Sequence, residues 1–486
     1  MKNIPIKLKK WSIQPFIKQF YKQLPEAEIF LVGGAVRDML LNRPTTDFDL
    51  VVRNVSKPTL EKFLTAHGKV NLVGKKFGVF KFVPKGWVGT EIDIALPRTE
   101  HSINFSGGYK DFKINSSAKL KIEDDLGRRD FTINAIAYDV KNKKLLDPYQ
   151  GLQDLNHKVI RAVGAPTQRF KEDYSRMLRA IRFSAQLNFV IEHQTWSAIK
   201  RQIKHLKTVG GKPIVPFEVI AKELNKAMSA NATKTIQLLD ESGALKILIP
   251  ELLKMKNCPQ PTNWHSEGDC WIHTMLAVEN LADKKFKAEF KNQQPTPELI
   301  WATIFHDLGK PYTIKHEDRI RFNNHDNVSA QKWRLIAERL KLSSAGVDIN
   351  RVEKIIAKHM LPANAKHSEM KDTTIEKYFF KPDFPGTELL MLIFADISAT
   401  IPEKTGRPDF TQYRMIKKRI NRLKQRLGNK NGLIKPLVTG NDLIKNLKLP
   451  SGPLIGKLLI SAREAQLAGK IKTKQQALAF LRNLLK

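Results

Sequence analysis

The sequence predicts an α+β protein in which a small mixed α/β domain is followed by helical domains over the rest of the chain. Over the first 150 residues, short apolar runs bounded by glycine, proline and polar residues alternate with helical patterns. From about residue 168 onward, apolar residues recur at three- and four-residue spacing, the period of a helix. A chain of 486 residues is too long for one compact core, so several domains are expected.

Changes in pattern divide the chain into four predicted domains. The mixed domain covers 1–155, and a first helical region covers 156–258. The segment KNCPQPTNWHSEGD is rich in proline, asparagine and serine, as linkers are, and a second helical domain follows over 259–400. A basic helical tail covers 401–486.

Composition points to a polyanionic partner. Lys and Arg number 83 against 48 Asp and Glu, a net charge of +35, which favours nucleic acid. A solubility surface or contact with anionic membranes remains the alternative. No apolar run is long enough to span a bilayer, and the basic N-terminal segment has no secretory apolar core, so we expect a cytoplasmic protein without membrane contact. Cys258 and Cys270 are too few for a disulfide framework and are expected to be ordinary thiols.

The mixed domain contains a candidate anion site. EIFLVGG is predicted to be a strand ending in glycines, and AVRDMLL the helix that follows. Gly33 and Gly34 would let the backbone approach a phosphate near the helix start, and Arg37 could reach the same anion. A turn without a ligand is the alternative. The polar stretch from Pro97 to Asp125 contains a further Gly-Gly pair and is long enough to be a functional loop.

Three carboxylates are predicted to lie beside that turn. DFDLVV, GVFKFV and TEIDIAL are expected strands, and Asp47 and Asp49 are two apart, so that they project from one face. Asp93 would add a third carboxylate from a neighbouring strand. Adjacent carboxylates repel unless cations lie between them, which suits two Mg²⁺ ions. Taken alone, the Asp-x-Asp pair also fits a solvated strand face.

These motifs resemble those of a known family. GGAVRD…DFD, RRDFTINAIAYD, DPYQGLQDL and EDYSRMLRAIRF follow in the order found in the bacterial class II nucleotidyltransferases, which comprise CCA-adding enzymes and poly(A) polymerases. The resemblance implies a polymerase-β-like head followed by an all-α neck and body. It implies that Asp47 and Asp49 bind the metals, that Asp93 completes the catalytic set, and that the nucleotide contacts Gly34, Arg37 and Arg129.

The motif EDYSRMLRAIR is a candidate base-selecting element. Asp173 and Arg176 are three apart on a predicted helix and would share a face. A carboxylate beside a guanidinium can pair with the amine and ring nitrogen that cytosine and adenine present, whereas uracil and guanine mismatch it. The resemblance favours this role over a helix-stabilising ion pair. Ser175 stands where many family members have proline, and Arg179 and Arg182 continue the basic face towards a triphosphate.

A second metal site is predicted in the 259–400 domain. Its candidate ligands lie on separate predicted helices and are His273, His306, Asp307 and Asp396, with His325 and His359 as further ligands. The pattern H…HD…D resembles the HD phosphohydrolases, and NWHSEGDCWIHT resembles multifunctional CCA-adding proteins with such a domain. The resemblance implies metal-dependent hydrolysis of phosphomonoesters or cyclic phosphodiesters, by a metal of unknown identity. A structural domain without activity is the alternative.

The tail is a candidate RNA-binding surface. It holds 20 Lys and Arg against 4 Asp and Glu, a net charge of +16. Between Tyr413 and Gly428, an apolar stripe of Ile416, Ile420, Leu423 and Leu427 is flanked by basic residues. The residues predicted to bind phosphates are Lys418, Arg419, Arg422 and Arg426. A solvated helix without a partner remains possible on charge alone.

Together these features predict an enzyme that adds CMP and AMP from CTP and ATP to the 3′ end of tRNA, with a second hydrolytic site and no obligate protein partner. Its rivals are a poly(A) polymerase or an A-adding enzyme, and an RNA-binding hydrolase with an inactive head. PRTEHSINFSGGY and the HD pattern look more like CCA-adding members, and the intact carboxylates oppose an inactive head.

Overall fold

The computed structural model describes residues 14–45, 47–73, 79–87, 91–102, 112–209, 212–361, 370–427 and 435–485. They form two compact units, residues 1–248 and 249–486. The predicted loop glycines at 107 and 108, Gly428 and the side chain of Leu427 lie outside what is described. The predicted boundaries at 155, 258 and 400 stay predictions.

The first unit combines a mixed sheet with helices. Its strands are β1 (Glu28–Val32), β2 (Phe48–Arg53), β3 (Gly68–Val73), β4 (Val79–Pro84), β5 (Ile92–Ala95), β6 (Arg98–Ser102), β7 (Phe112–Ser116), β8 (Ala137–Asp139), β9 (Lys144–Leu146), β10 (Val159–Ile160), β11 (Val190–Ile191), β12 (Thr208–Val209) and β13 (Lys212–Pro213). Its α-helices are α1 (Gln14–Gln23), α2 (Gly34–Leu40), α3 (Lys57–His67), α4 (Ile122–Gly127), α5 (Gly151–His157), α6 (Pro166–Glu172), α7 (Ser175–Leu187), α8 (His193–Gln202), α9 (Phe217–Ala230), α10 (Ala232–Ser242) and α11 (Ala244–Leu248).

Within the described part of the unit, seven strands form one sheet in the order β3-β4-β5-β2-β1-β8-β9. Neighbouring strands are antiparallel except β2 and β5, which are parallel. Buried and partly exposed side chains alternate along β4, so this strand buries one face, whereas β2 buries side chains on both faces. On that face Phe82 contacts Phe16 of α1, and Phe63 of α3 contacts Phe20. On the opposite face, α4 covers an apolar cluster that includes Val51.

The helices after the sheet are amphipathic, as the periodicity predicts. Helix α7 buries most of its length and packs against α9 and α10. The predicted mixed head and helical region are confirmed.

The second unit is almost wholly helical. Its elements are α12 (Pro250–Leu253), α13 (Cys270–Asn280), α14 (Lys284–Glu289), α15 (Pro297–Phe305), α16 (Lys310–Thr313), β14 (Lys315–His316), β15 (Ile320–Arg321), α17 (His325–Arg339), α18 (Ile349–Ile356), α19 (Asp372–Phe379), α20 (Gly386–Ala399), α21 (Thr411–Leu427), α22 (Gly440–Leu447), α23 (Pro453–Leu467) and α24 (Lys474–Leu485). Short 3₁₀ helices cover Thr132–Asn134 and Ile203–Leu206 in the first unit and Leu342–Ala345 in the second.

Several apolar clusters hold the second unit together. Helices α13, α15, α17, α18 and α20 pack against one another, and the rings of Trp301 and Phe305 on α15 and Trp333 on α17 are in mutual contact. Helices α22, α23 and α24 enclose a separate apolar cluster. Among the described residues, no helix is long and apolar enough to cross a membrane.

Candidate active sites

Two carboxylates lie together on one face of the head sheet, and a third comes just before it in the chain. The parallel pairing of β2 with β5 places Asp49 directly opposite Asp93. Both side chains are partly exposed, whereas Phe48 points to the buried face. Asp47 is exposed and lies just before β2, not on the strand as predicted, because pairing with β5 begins only at Phe48.

The environment of Asp49 fits a divalent cation. Burial raises the pKa of Asp49 to about 6, against the lowering effect of the Arg129 guanidinium. The charges on Asp47, Asp93 and Asp125 raise that pKa further. Carboxylates that repel one another at close range are stabilised by a hard cation such as Mg²⁺, which prefers oxygen ligands.

A glycine brings an arginine against these carboxylates. Gly33 joins β1 to α2 with φ 74°, a conformation that favours glycine. A Cβ at Gly33 would lie 2.8 Å from Nη1 of Arg129 and 3.1 Å from Oδ2 of Asp49. Arg129 also donates to Asp125 at 3.3 Å, and its buried Nε has no hydrogen-bond partner within the part of the chain described. Gly34, the predicted contact, is less crowded: a Cβ there would lie 3.6 Å from Arg37.

Arg37 is held by protein groups on three of its nitrogens. Its Nε and Nη2 donate to Asp38 at 2.9 Å, and Nη1 donates to Asn134 at 2.8 Å. Its guanidinium also lies 5.0 Å from the ring centre of Phe183. The predicted contact of Arg37 with nucleotide therefore stays a prediction.

Asp173 does not share a helix with Arg176, and that prediction is wrong. Helix α6 ends at Glu172 and α7 begins at Ser175, so Asp173 lies in the break. Its Oδ1 accepts from the backbone N–H of Ser175 at 2.8 Å, which satisfies a free donor of the helix start. Arg176 pairs instead with Glu172 at 2.7 Å, and its Nη2 donates to the carbonyl of Arg128 at 3.2 Å.

The next turns of α7 carry two further arginines. Arg179 binds Asp130 at 2.6 Å, and Arg182 binds Glu223 at 2.5 Å. Both guanidinium groups lie over the Phe183 ring, at 5.4 and 3.9 Å. The sequence indicated a basic face here but not the acidic partners, which come from distant segments.

In the second unit, the four predicted HD residues converge. His273 Nε2 lies 3.0 Å from Oδ1 of Asp396 and 3.6 Å from Oδ2 of Asp307. His306 Nε2 lies 3.3 Å from Oδ2 of Asp307 and 3.8 Å from Oδ1 of Asp396. The other carboxylate oxygen of Asp307 faces two more histidines, as His325 Nε2 lies 3.3 Å and His359 Nε2 3.7 Å from it.

The backbone fixes the tautomers of three of these histidines. Nδ1 of His306, His325 and His359 lies 2.7 Å from a backbone carbonyl oxygen three residues earlier. A carbonyl only accepts, so Nδ1 carries the proton and the Nε2 of a neutral ring has a lone pair. The Nε2 atoms of His325 and His359 lie only 3.2 Å apart. The Nε2 lone pairs of His325 and His359 therefore point towards each other and towards the Asp307 carboxylate. A divalent metal ion fits between these three groups.

Sequence reasoning missed two residues at this site. Lys310 Nζ lies 2.6 Å from Oδ2 of Asp307 and donates to Gln260 at 2.7 Å. Glu267 lies 2.8 Å from His273 Nδ1 and orients that ring. Signals for both were present: Lys310 follows the His-Asp pair by one helical turn, and Glu267 precedes His273 by six residues.

The predicted RNA-binding residues of α21 have unequal environments. Arg419 and Arg422 both bind Asp372 at 2.7 Å, and Arg426 donates to the carbonyl of Leu467 at 3.0 Å. Lys418 is exposed. The apolar stripe packs as predicted where described, with Ile416, Ile420 and Leu423 in one cluster with α19 and α20. A groove of about 550 Å³ lies along the helix, lined by Arg414, Lys417, Lys418, Arg419, Asn421, Arg422 and Gln425.

Comparisons with known proteins agree with this organisation. Residues 29–161 match the poly A polymerase head domain and 272–406 match the HD domain. Residues 188–255 match the family described as "Probable RNA and SrmB- binding site of polymerase A", and 403–481 match the one described as "tRNA nucleotidyltransferase domain 2 putative". A multifunctional CCA protein from Mannheimia succiniciproducens is 36% identical over 65% of this chain and 70% of its own length. The chain belongs to the tRNA nucleotidyltransferase family.

Other members of this family are also similar. The A-adding tRNA nucleotidyltransferase of Deinococcus radiodurans is 31% identical over 74% of this chain and 79% of its own. The fold is that of two solved structures. The Bacillus stearothermophilus CCA-adding enzyme in complex with CTP has a TM-score of 0.61 and 23% identity, covering 99% of this chain and 98% of its own. The Thermotoga maritima CCA-adding enzyme complexed with tRNA has a TM-score of 0.60 and 20% identity, over the same shares.

Proposed function

We propose that this nucleotidyltransferase adds CMP and AMP from CTP and ATP to the 3′ end of tRNA, without a nucleic-acid template. The contact of Gly33 with both Arg129 and Asp49, beside Asp93, carries the proposal. Arg129 lies against Asp49, and Asp93 is opposite Asp49 on the next strand, an arrangement that supports binding of a triphosphate beside a cation. The relatives that are named multifunctional CCA proteins support the same reaction.

In the head, the RNA 3′-hydroxyl attacks the α-phosphate of the nucleotide, and pyrophosphate leaves. Asp47 and Asp49 would hold Mg²⁺, with Asp93 as the third carboxylate beside it, and the ion would supply charge stabilisation to the reacting phosphate. Arg129 binds the triphosphate: its guanidinium is anchored by Asp125 on one side and lies against Gly33 on the other. Gly34 and Arg37 border the same turn and are the further proposed nucleotide contacts.

Asp173 and Arg176 are proposed to select the base, with Arg179 towards the triphosphate. The break between α6 and α7 supports this role, because one carboxylate oxygen of Asp173 is fixed by the Ser175 N–H. The other oxygen is then oriented to accept from the exocyclic amine that cytosine and adenine share. Arg176 is held rigidly by Glu172 and the Arg128 carbonyl, which suits discrimination by fixed donors.

Nucleotide dependence tests this proposal. A tRNA lacking its last three nucleotides is incubated with CTP, with ATP, and with both. CTP alone should extend it by two residues, and both together by three. Extension of a tRNA that already ends in CC by ATP, with no product from CTP, would instead identify an A-adding enzyme, the alternative that the Deinococcus radiodurans relative favours. A long homopolymer from ATP would identify a poly(A) polymerase.

The second site is proposed to be a metal-dependent phosphohydrolase. His273, His306, Asp307 and Asp396 would hold the metal, and the lone pairs fixed on the His325 and His359 rings extend the donor set around Asp307. Imidazole-rich sites suit transition metals more than Mg²⁺. Lys310 would bind a substrate phosphate oxygen at the edge of the cluster.

Metal reconstitution tests the second site. Protein stripped with a chelator is supplied separately with Mg²⁺, Mn²⁺, Ni²⁺ or Co²⁺, and assayed on nucleotide 2′- and 3′-phosphates and 2′,3′-cyclic phosphates. Hydrolysis restored by a transition metal supports the proposal. Hydrolysis by none of the four would mean that the cluster has a structural role.

The basic groove of α21 is proposed to contact the tRNA backbone. Its basic side chains would contact phosphates and not bases, which suits an enzyme that accepts many tRNAs. Because tRNA, CTP and ATP are cytoplasmic molecules, we propose that the protein works in the cytoplasm.

A further inference from the structure

A row of charged side chains crosses the catalytic face of the head sheet. Asp49 on β2 is opposite Asp93 on β5, and Asp93 is opposite Lys81 on β4. Side chains opposite one another on paired strands point to the same face, so the three form a line across three strands. Lys81 Nζ lies 3.3 Å from Oδ1 of Asp93 and 3.6 Å from Oε2 of Glu91.

The neighbouring row on the same face is apolar. This row lies two residues along each strand from the charged row. It consists of Val51 on β2, Ala95 on β5 and Val79 on β4. Val51 lies in the cluster that α4 covers. The charged row therefore lies at the uncovered edge of this face. The Lys81 side chain at its end is not part of the apolar core.

The two ends of the row have different partners. At one end, Gly33 and Arg129 lie against Asp49 and form the proposed triphosphate side. Lys81 lies at the other end, beyond Asp93. In phosphoryl transfer the attacking and leaving oxygens lie roughly in line on opposite sides of the phosphorus. If pyrophosphate leaves towards Arg129, the RNA 3′-hydroxyl enters from the side of Asp93 and Lys81.

We propose that Lys81 binds the phosphate on the 5′ side of the last nucleotide of the acceptor RNA. This proposal rests on the nucleotidyl transfer proposed above. The contacts of Lys81 with Asp93 and Glu91 are longer than the 2.7–2.9 Å of well-formed charged hydrogen bonds. Its side chain is 38% exposed, so its ammonium group can turn to a phosphate when a cation binds Asp93.

The role proposed for Lys81 is to bind the acceptor RNA and not the incoming nucleotide. Lys81→Met should raise the KM for a CCA-lacking tRNA about tenfold, the size expected for one charged hydrogen bond. The KM for CTP should not change, and Lys81→Arg should recover most of the loss. Lys62→Met is the matched control: Lys62 is exposed on α3, which packs behind the opposite face of the sheet. It removes the same charge and should change neither KM.

A double-mutant cycle identifies the phosphate. The acceptor is prepared with an uncharged methylphosphonate on the 5′ side of its last nucleotide, and its kcat/KM is compared with that of normal RNA in wild type and in Lys81→Met. Each single change should cost about tenfold, and the two together no more than either alone. Fully multiplicative losses would overturn the proposal, and so would a Lys81→Met defect confined to kcat, which would show that Lys81 only adjusts Asp93. If wild type itself transfers no nucleotide to normal RNA, the proposed function fails instead.

Discussion

At the scale of single residues, the head depends on the absence of a side chain at Gly33. The positive φ there aims the chain from β1 into α2, and the missing Cβ leaves room for Arg129 and Asp49 to approach one another. With φ 74° and ψ −140°, Gly33 lies in a backbone region that essentially only glycine adopts, so an alanine there would cost about 1–3 kcal/mol. It would also push the guanidinium away from the carboxylate, since 2.8 Å is shorter than a carbon and nitrogen tolerate.

Gly33→Ala should therefore lower kcat/KM for CTP by about a hundredfold, the loss expected when reacting groups are displaced by roughly 1 Å. Gly86→Ala is the control, because Gly86 also has φ 74° but a Cβ there would meet nothing within 4 Å. Gly33→Ala should lower the melting temperature at least as much as Gly86→Ala, because its Cβ also crowds Arg129. Equal kinetics in the two would show that Gly33 matters only for the backbone.

Asp173 can be tested without disturbing the start of α7. In Asp173→Asn, the remaining carbonyl oxygen can still accept from Ser175 N–H, so the melting temperature should hold. The amide nitrogen then replaces the second oxygen, the one proposed to accept from the base amine, and it cannot accept a hydrogen bond. Addition of CMP and AMP should slow by about 10–100-fold, the cost of a mispaired buried group, while misincorporation of UMP and GMP rises. A variant with wild-type nucleotide preference would assign Asp173 to helix capping alone.

At the scale of elements, α21 packs into its unit and is also the proposed site of contact with the tRNA backbone. Its apolar stripe and Arg419 hold it to α19, where Asp372 accepts from both Arg419 and Arg422. The exposed Arg414 and Lys418 line the groove on its outer surface. Arg419 therefore stabilises the fold, whereas Arg414 and Lys418 remain exposed for the proposed contact with RNA.

Charge removal on the two faces of α21 should separate these tasks. Arg414→Gln with Lys418→Gln should weaken tRNA binding and reduce the slope of log K against log salt by about 0.7–0.9 for each phosphate that is no longer neutralised, with an unchanged melting temperature. Arg419→Gln should lower the melting temperature, because it weakens the hold on a nearly buried carboxylate. An unchanged salt slope in the first variant would mean that tRNA binds elsewhere.

At the scale of the whole molecule, the two proposed reactions belong to two different compact units. The carboxylate row belongs to the first unit and the histidine cluster to the second, and they share no residue. Hydrolysis and transfer should then be separable by mutation. Asp307→Ala should abolish transition-metal-dependent phosphate release and leave CMP addition unchanged, while His316→Ala, at an exposed histidine outside the cluster, should leave both. Loss of transfer in Asp307→Ala would contradict this independence.

Some parts of this structure could be predicted from the sequence, and others could not. Strands β1, β2, β4 and β5 were predictable because each is a short apolar or alternating run bounded by glycine, proline or polar residues. The facing of Asp49 and Asp93 depends on a parallel pairing between distant strands, which periodicity cannot specify. The helix break at Asp173 was missed because the apolar period continues through it and only the capping bond reveals it. Lys310 and Glu267 were missed since their roles depend on partners that folding brings near.

The central claim is that the Asp49–Asp93 pair performs nucleotidyl transfer, and single-turnover addition tests it most directly. Enzyme in excess over a labelled, CCA-lacking tRNA is mixed with CTP and Mg²⁺, and CMP incorporation is followed in wild type, Asp49→Asn and Asp93→Asn. These substitutions keep side-chain shape but remove the charge that would hold the metal. Both should bind tRNA as wild type does, and both should incorporate CMP at least a thousandfold more slowly, the scale of about 4 kcal/mol in the barrier. Incorporation by Asp49→Asn at the wild-type rate would contradict the account.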